Sequence, residues 1–277
     1  MSRPNLVFIM SDDHAAHAVS AYGSRINRTP HLDRIADGGM RFDACFCTNS
    51  ICTPSRAAVL TGTYNHVNRV TTLDTPIDNQ LPTHVSLMGA AGYQTAIFGK
   101  WHLGHGPDHD PIMFDEWAVL PEQGEYHDPV FLTPDGEVTV AGYATDIITD
   151  MALDWLERRD PDRPFALMVH HKAPHRPWEP DAAHADMYED EDIPEPETFW
   201  DDHATRAAAA AAVRMQMMDL TAEDLKQPVP EGLSREDEIR WRYQRYIKDY
   251  LRVVASIDDN VGRLLDRLDE LGLADDT

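Results

Sequence analysis

Three apolar runs of strand length, at residues 5–10, 93–98 and 165–170, each break off into a polar cluster, and stretches of helical spacing separate them. This alternation calls for an α/β fold, a mostly parallel or mixed sheet flanked by helices, because parallel strands need crossover connections and helices supply them. In such folds ligands collect beyond the carboxyl ends of the strands, so the polar clusters carry the functional signal. They comprise Ser11, Asp12 and Asp13 after the first run, Gly99, Lys100, Trp101 and His102 after the second, and His171, Lys172 and His175 after the third.

Elsewhere the pattern predicts a helix at 31–36 closed by Gly38 and Gly39, a strand at 40–47, a helix opening near Cys52 or Thr53 and stopping at Gly62, and helices at 85–91 and 144–158. Residues 181–238 differ, being acidic, alanine-rich around 207–213 and broken by Pro194, Pro196, Pro228 and Pro230. They read as an inserted, partly helical excursion. A long amphipathic helix is expected from 239 to 271, with Gly272 as its stop. At Thr277 the alternation would call for another strand, so the expectation is one domain over 1–277, truncated at its C-terminus.

The 277 residues, 42% of them hydrophobic, are enough for one large domain with a real core. A net charge of -24 surrounds the chain with a negative field, which disfavours nucleic acid or anionic membrane as partners. An anionic substrate therefore needs a local cationic pocket. No stretch approaches the ~20 apolar residues of a membrane span, and no signal-peptide core precedes the first run, so a cytoplasmic protein is expected. Three cysteines, an odd number, argue against a disulfide framework.

Asp12 and Asp13 read either as a helix cap beside a solvated charge or as two carboxylates drawn together by a cation, for which oxygen donors favour Ca²⁺ or Mg²⁺. His14 and His17 read as loop residues. Cys45 and Cys47 read as small buried hydrophobes on a strand. Cys52 differs, since a helix N-terminus lowers a thiol pKa and presents N–H groups to an anion. Lys100 and His102, two apart in extended backbone, could hold an oxyanion together, or Lys100 could reach solvent while His102 packs on Trp101. His171 and His175 repeat that strand-end placement.

Residues Cys52-Thr53-Pro54-Ser55-Arg56, followed after four residues by Thr61-Gly62, resemble the signature of the type I sulfatases. Pro4-Asn5 to Asp13, Thr29 to Asp33, Gly92 to Thr95 and Gly99 to Gly104 are similar to the same family in the same order. The resemblance implies an alkaline-phosphatase-like fold and a Cys52 oxidised by a formylglycine-generating or anaerobic sulfatase-maturing enzyme. It implies that Asp12, Asp13 and the modified Cys52 bind a metal, typically Ca²⁺. By the same resemblance Arg56 steadies the formylglycine diol, Lys100 binds a sulfate oxygen, His102 contacts the diol and His175 lies beside the ester oxygen. The family's remaining metal ligands come from a strand beyond a helix like that at 239–271, so weak metal affinity and little activity are expected of this polypeptide alone. Residues 68–80 and 246–260 are similar to bacterial sulfatases acting on amino-sugar or glycosaminoglycan 6-sulfates. The alternatives are a phosphonate or phosphodiester hydrolase with the same modified cysteine, an inactive fragment, and plain cysteine hydrolase chemistry.

Overall fold

The computed structural model describes residues 3–213 and 215–277. Among them a six-stranded sheet comprises β1 (Leu6–Met10), β2 (Gln94–Lys100), β3 (Glu116–Leu120), β4 (Val130–Thr133), β5 (Gly136–Thr139) and β6 (Phe165–His170), in the order β1-β6-β2-β3-β4-β5. The pairs from β1 through β6 and β2 to β3 are parallel, and those from β3 to β5 antiparallel. The helices are α1 (Pro30–Gly38), α2 (Cys52–Thr61), α3 (Asn65–Asn68), α4 (His84–Ala90), α5 (Ala144–Arg158), α6 (Ala208–Ala211), α7 (Ala222–Leu225) and α8 (Arg235–Glu270). None is long and apolar enough to cross a membrane.

The two faces of the sheet follow from the alternation of side chains along its strands. Ala96, Phe98, Leu167 and Val169 pack under Ile148, Trp155 and Leu156 of α5 and Leu264 of α8. Ile97, Val119 and Met168 point the other way, onto Ala57 and Leu60 of α2 and Val85 of α4. The result is a mixed α/β sheet with helices on both faces, as the alternation requires. Gly99 closes the centre of the sheet. Its φ is +104°, and a Cβ there would sit 2.0 Å from the carbonyl oxygen of His170, so only glycine lets β2 and β6 draw together.

Residues 40–47 form no strand. Met40, Phe42 and Phe46 are exposed, and Cys45 and Cys47 are exposed free thiols rather than buried ones. The local pattern was the only support for a strand there, and the segment pairs with no strand among the described residues. The excursion before α8 is less helical than its alanines suggest, since only one turn, α6, forms around 208–211. Helix α8 begins four residues earlier than expected: Ser234 accepts from the Asp237 amide at 3.2 Å, and Glu236, Asp237 and Glu238 occupy the first turn. The acidic residues that look like the end of a loop complement the helix dipole instead.

Candidate active site

The carboxyl ends of β1, β6 and β2 lie side by side in the sheet, which brings the three polar clusters to one mouth. Backbone bonds lock the first two together, His171 donating to Met10 and Asp12 to Ala173 at 2.8 and 3.0 Å. From the opposite side comes α2, whose first residue is Cys52; Ile51, in extended conformation, precedes it as N-cap, and Gly62 ends the helix at φ 63°. These elements enclose a cavity of about 470 Å³ whose lining includes Asp12, Asp13, Cys52 and Arg56.

Asp12 is the hub. Its Oδ2 meets Lys100 Nζ at 2.5 Å and Arg56 Nη2 at 3.1 Å, and its Oδ1 accepts from Cys52 Sγ at 3.5 Å. Burial pushes this carboxyl upward, but the two cations overcome burial and hold it far below the usual carboxylate range. Lys100 is fully buried, so it does not reach for solvent; its Nζ also donates to Gln123 Oε1 at 2.5 Å and stands 4.0 Å from Cys52 Sγ. Burial lowers its pKa while Asp12 opposes the fall. Arg56 donates to the Lys100 carbonyl at 2.7 Å, which ties α2 to the end of β2.

Burial pushes the Cys52 thiol up, Lys100 and Arg56 pull it down, and Asp12 and Asp13 push it further up, for a net rise. This corrects the expectation from helix position alone. A thiol beside two carboxylates is hard to ionise, which disfavours cysteine-thiolate hydrolysis.

His102 is buried, its pKa lowered to about 4 by burial and then by Lys100 and Arg56, and its Nδ1 has no hydrogen-bond partner among the described residues. His175 is half-buried; its Nδ1 donates to the Arg176 carbonyl at 2.7 Å and its Nε2 lies 3.7 Å from Asp13 Oδ2. Burial and then Lys100 lower its pKa. Asp13 and His102 both adopt left-handed backbone, at φ 60° and 52°, strain of the kind that gathers at functional sites. Asp12, Asp13, Cys52, Arg56, Lys100, His102 and His175 thus share one neighbourhood.

Asp12, Asp13 and Cys52 each offer a donor atom within 4.8 Å of the others. Two convergent carboxylates fit a hard divalent cation, and residue 52 would join them better with an oxygen than with a thiol. A second acidic group, His31 with Asp258 and Asp259, fits a cation less well, because the Asp258 carboxylate is taken by the amides of His31 and Leu32 at the start of α1. Sequence reasoning missed Gln123, on the loop after β3, and Tyr126, whose hydroxyl donates to the His175 carbonyl at 2.5 Å. It also missed Tyr250, which accepts from the Ala15 amide at 2.7 Å and donates to the Asp13 carbonyl at 3.1 Å. All three lie far along the chain from the residues they serve, and no local pattern marks them.

A family model described as Sulfatase matches residues 4–277. The chain is 37% identical to an N-acetylglucosamine-6-O-sulfatase of Bacteroides thetaiotaomicron, over 99% of this chain and 56% of that protein. It is 33% identical to the N-acetylgalactosamine-6-sulfatase of Canis lupus familiaris, over 67% of this chain and 40% of that one. A solved structure described as a complex with its substrate D-glucosamine-2-N,6-O-disulfate superposes with a TM-score of 0.92 at 38% identity, covering 100% of this chain and 64% of that one. The chain therefore spans little more than half the length of the bacterial sulfatase it resembles. A family match over nearly every residue, on a sheet whose strand ends gather the signature's Cys52 and Arg56 beside Asp12 and Lys100, places this chain in the sulfatase family.

Proposed function

We propose that the chain forms the N-terminal catalytic part of a sulfuric ester hydrolase acting on a sulfated carbohydrate, with an amino-sugar 6-sulfate as the favoured class and Cys52 matured to formylglycine. The observation that carries this reading is the setting of Cys52, 3.5 Å from Asp12 and 4.0 Å from Lys100 at the head of α2, where its own thiolate is suppressed. An aldehyde at this position needs no thiolate. The similarity to proteins named as 6-sulfatases supports the substrate class.

Hydrated formylglycine at residue 52 would supply one hydroxyl for attack on sulfur and a second whose deprotonation would release sulfate with return of the aldehyde, and Asp12, Asp13 and residue 52 would hold a divalent cation, Ca²⁺ or else Mg²⁺, that would supply positive charge to the site. Lys100, buried and fixed by Asp12 and Gln123, places an ammonium where a sulfate oxygen gathers charge. Arg56, fixed by Asp12 and the Lys100 carbonyl, steadies residue 52. His175 has its Nδ1 proton committed to the Arg176 carbonyl, so Nε2 is the atom that would carry the second proton of the imidazolium form and give it to the leaving alcohol. His102, kept neutral by its burial, is able to accept the proton of the second hydroxyl. Maturation needs a partner, a formylglycine-generating or anaerobic sulfatase-maturing enzyme that acts on the Cys52–Arg56 segment.

The test is parallel kinetics of the protein carrying this chain, produced with a maturing enzyme and Ca²⁺, on N-acetylglucosamine 6-sulfate and on a phosphodiester. Sulfate release with the higher kcat/KM on the sugar sulfate is expected. Preference for the phosphodiester would replace sulfate with phosphoryl chemistry, and turnover of neither would remove the hydrolase reading.

A further inference from the structure

The chain has four lysines, and their settings differ. Lys248 is partly exposed, Lys226 pairs with Asp249 at 2.9 Å, and Lys100, fully buried, pairs with Asp12 at 2.5 Å. Lys172 is 3% exposed, yet among the described residues its Nζ has no hydrogen-bond acceptor and no carboxylate within 4.0 Å. Its close partner is the face of Tyr126, 4.8 Å from Nζ to the ring centroid. Nζ itself keeps some accessible surface. A buried cation without a counter-ion is costly. In a chain of net charge -24 acidic side chains are plentiful, and none is set against this one.

The backbone fixes where this ammonium stands. Before Lys172 the His171 amide donates to the Met10 carbonyl, and after it the Ala173 carbonyl accepts from the Asp12 amide, at 2.8 and 3.0 Å, so Lys172 runs alongside the first candidate metal ligand. Its own carbonyl accepts from the His175 amide at 3.1 Å, closing a turn with the candidate proton donor at the far end. Tyr126 serves both ends of that turn, its ring against Lys172 Nζ and its hydroxyl donating to the His175 carbonyl. Burial and then Lys100 pull the Lys172 pKa down to about 8, which leaves it largely an ammonium at neutral pH. No other charge acts on it as strongly as Lys100 does, and Asp12 also reaches it.

Asp12 cannot balance this charge, because its single negative charge already faces Lys100 and Arg56. The unmet cation calls for an anion from outside the chain, and a tetrahedral oxyanion has oxygens enough to accept from several donors at once. We propose that Lys172 is a further sulfate-binding residue, its ammonium donating to an oxygen of the same sulfate group that Lys100 receives. The Tyr126 face attracts the ammonium through its quadrupole without taking a hydrogen bond from a lone pair, so the N–H groups stay free for that oxygen. This rests on the sulfuric ester reading for the identity of the anion, and it gives a role to a buried group that the mechanism above leaves unused.

The experiment is equilibrium dialysis of radiolabelled inorganic sulfate against the protein carrying this chain, at constant ionic strength, with urea denaturation of the same variants. The wild type is expected to bind sulfate saturably and Lys172→Met to bind it about tenfold more weakly, the worth of one charge-assisted hydrogen bond. Lys172→Arg, which keeps the charge on a different fork of donors, is expected to recover part of the loss. Because Lys172→Met removes an uncompensated buried cation, its urea midpoint is expected to match or exceed that of the wild type. No saturable binding in the wild type, or equal affinity in wild type and Lys172→Met, would overturn the assignment. So would a fall in affinity together with a fall in urea midpoint, which is the signature of a purely structural lysine. The readout needs no turnover, so the two readings fail separately. Lys172-dependent sulfate binding in a protein that hydrolyses no sulfate ester counts against the hydrolase reading alone, and ester hydrolysis with sulfate binding indifferent to Lys172 counts against this inference alone.

Discussion

At Asp12 a carboxylate, an ammonium and a guanidinium meet with their side chains almost wholly buried. A buried charge is tolerated when paired, and removing one partner leaves the rest uncompensated. Lys100→Met is therefore expected to cost turnover about 10²–10³-fold, in line with the loss of a preorganised donor, and steady-state kinetics on a sugar sulfate check it. An unchanged kcat would remove Lys100 from the charge-stabilising role. These residues were legible because their spacing is local: Cys52 to Arg56 is one continuous motif, and each remaining candidate follows directly on a strand-like run. The hydrogen-bonding support from Gln123 and Tyr250 was not legible. Each acts across 23 residues or more, a separation that only the folded sheet and helix define.

Among the elements, the strands that lead into the site, β1, β2 and β6, could be read from continuous apolar runs, while β3 to β5 were not read. Strand β2, read from the run 93–98, is buried throughout its last six residues. Strands β3 to β5 have a weaker signature, and β5 is exposed along its whole length, although Pro134 and Asp135 between β4 and β5 mark the hairpin turn. Two substitutions test how the elements are joined. Gly99→Ala places a methyl against the His170 carbonyl, and unfolding free energy is expected to fall by about 3 kcal/mol or more, measured by urea denaturation; a loss under half of that would mean that β2 and β6 are not held as closely as described. Asp258 of α8 caps the start of α1, accepting from Leu32 at 2.8 Å. Asp258→Ala is expected to cost about 1–2 kcal/mol, with Asp258→Asn recovering part of it, because Asn still accepts.

For the molecule as a whole, burial holds several histidines neutral. His170 is pushed down to about 3, chiefly by burial, and His14 and His171 to about 4 by burial. In the unfolded chain each would protonate near 6.5, so between 6.5 and about 4 the unfolded state binds more protons and stability falls as the pH falls. The slope approaches ~1.4 kcal/mol per pH unit for each such histidine, and a flat urea midpoint between pH 7 and pH 5 would contradict it. The net charge of -24 gives the same body an anion-repelling exterior, against which Lys100 and Arg56 stand as a buried cationic focus.

The central claim is that an aldehyde made from Cys52, set between Asp12 and Lys100, cleaves a sulfate ester. Its most direct measurement pairs peptide mass with turnover in preparations of the protein matured to different extents, since conversion replaces sulfur by oxygen with loss of two hydrogens. Sulfate release in proportion to the fraction of residue 52 in the aldehyde form is the expected result, with none from Cys52→Ala. Full activity from unconverted thiol, or from Cys52→Ala, would contradict the claim.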